Sequence, residues 1–234
     1  MDTYPIRYEF RLDDGRSVDF TVKLDPKTLV IADPWPEPAP DWALLERDRC
    51  RDCALATTER YCPTAAHLAG VVKSFGATLS ITEADVRVVL PEREYRRRSA
   101  VQSSLSSLIG IYMVGSGCPT FAPLRPMVRF HLPFSTELET TFRAASMYLV
   151  AQVLRSRTGL PTEWELRGLA DVYRKIAQVN FAFAQRLRRA ATMDANVNAL
   201  VLLDVFAKVL PATIEDGLED LRDIFGPWLS GPHT

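Results

Sequence analysis

The length and charge of the chain exclude several classes of protein. Its 234 residues are enough to bury a full hydrophobic core, in one large domain or two small ones. The 28 basic residues are balanced by 29 acidic ones, and a net charge of -1 does not favour nucleic-acid binding. No apolar run approaches the ~20 residues of a membrane span. The best candidate, residues 199–210, is short and contains Asp204 and Lys208.

The first 32 residues predict β-strands. Apolar and polar residues alternate over 6–12 and over 18–24, and Asp13–Arg16 between them predicts a hairpin turn. Residues 28–31 predict a further short strand. Residues 33–40 predict an extended surface connector, because each of their prolines removes a backbone donor and restrains the residue before it.

A helix and a second strand pair follow. Pro63 suits the first position of a helix, and an apolar stripe over residues 65–75 predicts that this helix ends at Gly76. Residues 86–90 and 95–98 predict two strands. Four arginines between residues 93 and 98 indicate a solvated edge strand protected by charge, rather than a site for an anion or a nucleic acid.

The rest of the chain predicts a helical bundle. Glu139 is placed to complete a capping box for a helix that begins at Ser135 or Thr136. Asp194 is predicted to cap a helix that is apolar on most sides, which we expect to be central. The predicted helices are 101–114, the helix from 135 or 136 through 153, 166–187, 195–210 and 214–225.

These elements predict an α+β protein. The β-rich part, residues 1–98, has hairpins and one helix and packs on a helical bundle of residues 99–234. We expect the two parts to form one compact unit, joined by the cysteines.

The four cysteines are the strongest chemical signal in the sequence. Cys50 and Cys53 are spaced so that both can reach one metal ion, with Cys62 and the distant Cys118 as further ligands. Four thiolates favour a structural zinc site, and His67 could replace one cysteine. An iron–sulfur cluster, a thiol–disulfide or reactive-thiol role, and inert buried cysteines are the alternatives.

A second hypothesis is catalytic or redox chemistry at a cysteine. Cys118 or Cys62 would be the nucleophile or redox thiol, His131 its base, and Glu139 would orient the histidine. The competing interpretation is that His131 is an ordinary histidine packed among apolar residues.

Polar residues inside the predicted bundle indicate a buried network. Asn180 interrupts an apolar seam, and Asp194 opens the most apolar helix. Buried amides need hydrogen-bond partners, so these residues predict either helix capping and register-fixing bonds or a small-ligand pocket between helices.

The sequence also resembles a widespread bacterial family of unknown function. The resemblance covers nearly the whole chain and implies no established activity. It depends on Cys50 and Cys53, Tyr61-Cys62-Pro63, 105–110, Ser116–Pro119, Leu124–Met127, Phe130–Phe134, Glu139–Leu149 and Asp194–Ala199.

Together these patterns predict a cytosolic bacterial protein with a structural zinc site and a binding or regulatory role. The N-terminus lacks the basic and apolar regions of a secretion signal, so the cysteines are expected to be reduced. We expect no membrane partner. The oligomeric state is open, with a homodimer as one option.

Overall fold

A four-stranded antiparallel sheet occupies the N-terminal part of this computed structural model, which describes residues 2–55 and 57–231. The strands are β1 (Tyr4–Leu12), β2 (Ser17–Leu24), β3 (Glu83–Leu90) and β4 (Arg93–Ala100). They lie in the order β2-β1-β3-β4. The predicted α+β class is confirmed, because helices make up most of the chain after β4.

The sheet has one buried and one charged face, as the alternation in β1 requires. Ile6, Tyr8 and Phe10 point into the core, and the ring of Phe10 meets that of Phe75 edge to face at 5.1 Å. On the outer face, the guanidinium of Arg87 donates to the carboxylate of Glu9 at 3.1 Å. The sheet therefore presents one apolar surface to the helices.

The predicted β1–β2 hairpin is confirmed, but the predicted strand at residues 28–31 is wrong. Asp25 Oδ1 accepts hydrogen bonds from the backbone N–H of Lys27 and from both the backbone N–H and the hydroxyl of Thr28. These local bonds favour a turn over a strand. Only Ile31 makes a β-bridge, to Leu24.

The basic segment 93–98 forms the edge strand β4, as expected. Arg98 donates to Asp13 at 2.7 Å and to Asp85 at 3.3 Å, and Arg96 donates to Glu94 at 2.6 Å. These arginines are paired with carboxylates on the sheet, which fits a charge-protected edge better than a free cationic surface.

Eight α-helices lie within the described residues. They are α1 (Pro63–Phe75), α2 (Val101–Gly115), α3 (Arg125–Arg129), α4 (Glu137–Arg157), α5 (Arg167–Ala190), α6 (Ala195–Glu215), α7 (Glu219–Arg222) and α8 (Gly226–Leu229).

Helix α2 begins at the residue after β4, so no linker separates the sheet from the bundle. It contacts the sheet, α1 and α6, while α5 packs along α6. One continuous apolar core contains side chains from all of these elements. The predicted boundary between the β-rich part and the helical bundle, at residues 98 and 99, stays a prediction. The two predicted parts include residues 1, 56 and 232–234, which lie outside the described residues.

Helix α6 differs from the prediction in length and position. It runs to Glu215, and it is not central, since Leu202 and Val205 are 42% and 52% exposed. Among the described residues it is the one helix long and apolar enough to span a membrane, with 28% of its most apolar window buried. Helix α2 and residues 119–129, which meet at a sharp bend, satisfy the same criteria of length and apolar composition when they are taken together. Helices in the core of a protein satisfy these criteria too.

The capping box predicted from Glu139 is present at the start of α4. The Thr136 hydroxyl accepts the Glu139 backbone N–H at 3.2 Å, and the Glu139 carboxylate accepts the Thr136 backbone N–H at 2.7 Å. Each side chain therefore satisfies a backbone donor that the helix leaves unpaired.

We expect Thr136→Ala to destabilise the protein by about 1 kcal/mol, because it removes the acceptor for one of these donors. Urea unfolding followed by circular dichroism measures the change. Thr162→Ala, at an exposed threonine, is the matched control and should change stability by less than about 0.5 kcal/mol. An equal effect of both substitutions would contradict the capping role.

Candidate functional site

The four cysteines come from three separate parts of the chain. Cys50 and Cys53 lie in an irregular segment before α1 and are half-buried. Cys62 is the residue immediately before α1, and Cys118 immediately precedes the 3-10 helix Pro119–Leu124; both are buried. All four cysteines are free thiols.

Two of the thiols lie at helix N-termini. The backbone N–H groups two and three residues further along the chain favour the thiolate of Cys62 and that of Cys118, although neither sulfur makes a capping hydrogen bond. Burial has the larger effect and raises the pKa of both thiols. The same geometry therefore suits a sulfur that gives up its proton to a metal.

The thiols also influence one another's ionisation. Burial, followed by repulsion from Cys62, Cys53 and Cys118, raises the pKa of Cys50 to about 12. Repulsion from Cys53 likewise adds to the raised pKa of Cys118. Because such effects weaken with distance, Cys50 is close enough to the other three thiols for their charges to oppose its ionisation. Cys50, Cys62 and Cys118 are protonated at neutral pH, which disfavours a nucleophilic role.

The thiols share a region without forming a metal-binding arrangement. In residues 2–55 and 57–231, no group of three or more His, Cys, Asp or Glu side chains is placed so that it could hold a metal ion. His67, the predicted substitute ligand, packs edge to face on Trp35 at 5.3 Å, and burial lowers its pKa.

A buried arginine holds the segment that leads to Cys50. The Arg186 side chain is 2% exposed. Its Nη1 donates to the carbonyls of Trp42 at 2.6 Å and Leu44 at 2.8 Å. Its Nη2 donates to the carbonyls of Leu45 at 3.3 Å and Asp48 at 2.8 Å. Four backbone acceptors of a segment with little regular structure beyond the 3-10 turn Asp41–Ala43 are thus satisfied by one side chain of α5.

Two hydroxyls connect the helix ends that position Cys62 and Cys118. The Thr64 and Ser116 hydroxyls form a buried hydrogen bond of 2.9 Å. The Ser116 hydroxyl donates to the Met113 carbonyl at 2.8 Å and accepts the Cys118 backbone N–H at 3.3 Å. The first turn of α1 is therefore tied to the C-terminus of α2.

The residues of the predicted catalytic set have other partners. His131 Nε2 forms a hydrogen bond of 2.7 Å with the Tyr8 hydroxyl, and burial and the nearby Arg143 lower the pKa of His131 to about 3. Glu139 belongs to the capping box of α4. No hydrogen bond between described residues joins Cys118, His131 and Glu139, so the structure does not assemble this set.

His131 instead lines a cavity between the helices, which we call the bundle cavity. Its volume is about 460 Å³, within the range of small-molecule sites. Helices α2 to α6 all contribute side chains to it. Those that define it are Ile111, Val128, Arg143, Tyr173, Asn180 and Phe206.

Asn180 is an unusual residue of the bundle cavity. It is 2% exposed, and both its amide nitrogen and its amide oxygen are buried without a hydrogen-bond partner in the described residues. The sequence predicted either helix capping with register-fixing bonds or a small-ligand pocket, and the position of Asn180 in the cavity lining fits the ligand pocket. Arg143, from α4, also lines the cavity.

Sequence reasoning missed Arg186, Tyr8 and Tyr173. Arg186 stands in the run Arg186-Leu187-Arg188-Arg189, in which its neighbours at 188 and 189 are exposed. Tyr8 looks like any apolar residue of an alternating strand. The helical stripe that contains Tyr173 indicates burial but gives no hint of a cavity.

Comparison with protein families gives one match. A family model described as "Domain of unknown function (DUF6901)" matches residues 6–226, which is nearly the whole chain. The chain belongs to the DUF6901 family. No curated protein and no solved structure matches this DUF6901 protein. The resemblance to a family without an established activity is thereby confirmed.

For the DUF6901 protein we expect Arg186→Met to lower the free energy of unfolding by about 3 kcal/mol or more. Four carbonyls would lose hydrogen bonds to a charged donor, and buried acceptors would be left unpaired. Denaturant unfolding measures the effect. Arg188→Met, at an exposed position two residues away, is the control and should change stability by less than about 0.5 kcal/mol. Similar values for both would show that Arg186 does not anchor the segment.

We expect acid to destabilise the protein through His131. The unfolded chain binds this proton near pH 6.5 and the folded one only near pH 3, so stability falls as pH drops through that window. The slope from this group is at most about 1.4 kcal/mol per pH unit. His131→Gln retains a hydrogen-bonding side chain but does not titrate, so its stability should fall less between pH 6 and pH 4, about the middle of that window. Parallel curves for the two proteins would contradict the assignment.

Proposed function

We propose that this protein is a cytosolic binding or regulatory protein in which Cys50, Cys53, Cys62 and Cys118 hold one zinc ion with a structural role. The observation that supports the proposal is that Cys53, Cys62 and Cys118, which come from three chain segments, all add to the raised pKa of Cys50. Zinc in structural sites takes four sulfur or nitrogen ligands in a closed tetrahedron. Four reduced thiols in a cytosol supply such a set.

Two features favour a metal over inert cysteines. Cys62 and Cys118 each precede a helix whose first backbone N–H groups favour a thiolate, and a metal-bound cysteine is a thiolate. The Ser116 hydroxyl is also hydrogen-bonded to Thr64 in the first turn of α1 and to the Cys118 backbone N–H, so the backbones at these two cysteines have a fixed relation. Inert apolar cysteines would need neither feature.

Cys50 and Cys53 would complete the site by a local movement. They lie in an irregular segment, and the Cys53 backbone N–H donates to the Cys50 carbonyl at 3.2 Å, which closes a turn between them. Zinc would displace the thiol protons and draw this turn onto Cys62 and Cys118. The metal would then fasten the segment between the sheet and α1 to the helices, in addition to Arg186.

The experiment is metal analysis of freshly reduced, purified protein with an ultraviolet–visible spectrum. We expect about one equivalent of zinc and no visible colour, whereas an iron–sulfur cluster would be brown. Cys118→Ser should lose most of the zinc and melt at a lower temperature, because metal binding contributes folding energy directly. His67→Gln is the control and should retain the metal.

Less than about half an equivalent of any metal in reduced protein would overturn the zinc proposal. Unchanged melting of Cys118→Ser together with full metal content would show that the ion binds elsewhere. One fast-reacting thiol under limiting alkylating agent would instead favour the thiol-chemistry hypothesis, which the raised pKa values of Cys50, Cys62 and Cys118 disfavour.

A further inference from the structure

One face of α5 forms what we call the floor of the bundle cavity, with a polar, an apolar and a polar side chain in that order. Tyr173, Ile176 and Asn180 lie three and four residues apart, so they share one face of the helix and all line the cavity. Seven residues of α-helix span roughly 10 Å. A ligand that lies along this floor therefore meets polar groups at both ends and an apolar contact between them.

The amide of Asn180 indicates what one end of the ligand offers. Buried polar groups are nearly always hydrogen-bonded, and here both amide atoms lack a partner in the described residues. A single water occupies about 30 Å³, far less than the 460 Å³ of the cavity. An asparagine presents one acceptor and a donor group side by side. Its natural complement is another amide, which offers an N–H and a carbonyl.

Arg143 indicates what the other end offers. Its two described hydrogen bonds both use Nη2, which donates to the carbonyls of Met127 at 2.9 Å and Phe130 at 2.7 Å. No carboxylate among the described residues forms an ion pair with it. The Glu163 backbone N–H donates to Gln152 Oε1, and Tyr148 lies against Gly168, so α4 and α5 run antiparallel here. Arg143 and Tyr173 each lie five residues beyond the Tyr148–Gly168 contact, which places Arg143 toward the Tyr173 end of the floor. A partly buried guanidinium without an anionic partner favours a carboxylate ligand.

The walls of the cavity are largely apolar, with serine and threonine hydroxyls and the charged Arg97 and Glu137 at places in the lining. Ile111, Val128 and Phe206 face it from three different helices, and the exposed side chains of Leu202 and Val205 on α6 extend this lining to the surface. Pockets of this kind, with apolar walls and few placed polar groups, bind small organic molecules. The charge of Arg143 and the amide of Asn180 would fix the orientation of such a molecule.

We propose that the bundle cavity binds a small amphiphilic acid whose carboxylate pairs with Arg143, whose amide pairs with Asn180, and whose body is apolar. This names the ligand class for the binding role proposed above, and it uses none of the cysteines.

The first test compares ligands on the intact protein by isothermal titration calorimetry. Azelaic acid monoamide has a carboxylate at one end, an amide at the other and an apolar chain between them; its methyl ester lacks the charge, and nonanoate lacks the amide. We expect azelaic acid monoamide to bind with one-to-one stoichiometry, and the ester to bind at least about tenfold more weakly, because a tenfold loss is typical of one lost strong polar contact. Nonanoate should also bind more weakly than azelaic acid monoamide.

The second test uses variants to assign these preferences. Arg143→Gln should bind the acid and its ester about equally. Asn180→Leu should weaken the binding of azelaic acid monoamide by about tenfold and leave the binding of nonanoate unchanged or tighter, because the unpaired amide is gone. Arg155→Gln, at an exposed arginine on the same helix as Arg143, is the control and should behave as the wild type.

Two results would overturn the proposal: wild-type protein that gives no binding heat with either acid, or acid and ester that bind equally. Neither depends on a variant folding correctly. Metal content is measured in the same samples, so failure of the zinc proposal is seen separately from failure of ligand binding.

Discussion

The hydrogen bonds from Arg186 to four backbone carbonyls are the interaction on which the rest of the structure depends. The segment from Trp42 to Asp48 has little regular structure, so its backbone acceptors need partners from elsewhere. A guanidinium supplies five donors in one plane, more than any other side chain. Without Arg186, the segment that leads to Cys50 would lose the hydrogen bonds that hold it against α5.

This anchoring explains how three distant segments can present sulfurs to one region. Helix starts fix Cys62 and Cys118, and the bond between Thr64 and Ser116 keeps those helix ends together. Cys50 and Cys53 arrive on a segment that is fixed at its beginning and irregular afterwards. In the proposed zinc site, Cys62 and Cys118 would be the fixed ligands and Cys50 and Cys53 the adaptable ones. Metal binding would then be coupled to the order of the segment that contains Cys50 and Cys53.

The local elements could be predicted from the sequence because local rules decide them. The alternation of apolar and polar residues predicts β1 and β2, and Pro63 and Gly76 mark the two ends of α1. Glu139 indicates the capping box at the start of α4. The partners of the candidate sites could not be predicted in this way. Tyr8 and His131 are 123 residues apart in the chain, and nothing in the sequence around either marks the other.

The cysteine cluster and the cavity differ in how the sequence reveals them. Four cysteines are visible in any listing of the chain, and their spacing alone predicts a shared ligand. Asn180 was visible only as a polar residue in an apolar seam, and a structure was needed to show that its amide has no partner in the described residues. None of the four cysteines lines the bundle cavity, so the protein combines a candidate metal site with a separate candidate ligand site.

X-ray absorption at the zinc edge of the purified protein tests the central claim most directly. Four thiolates predict a single shell of sulfur neighbours at about 2.3 Å. A shell dominated by nitrogen or oxygen neighbours at about 2.0–2.1 Å would place the zinc away from the four cysteines and contradict the account.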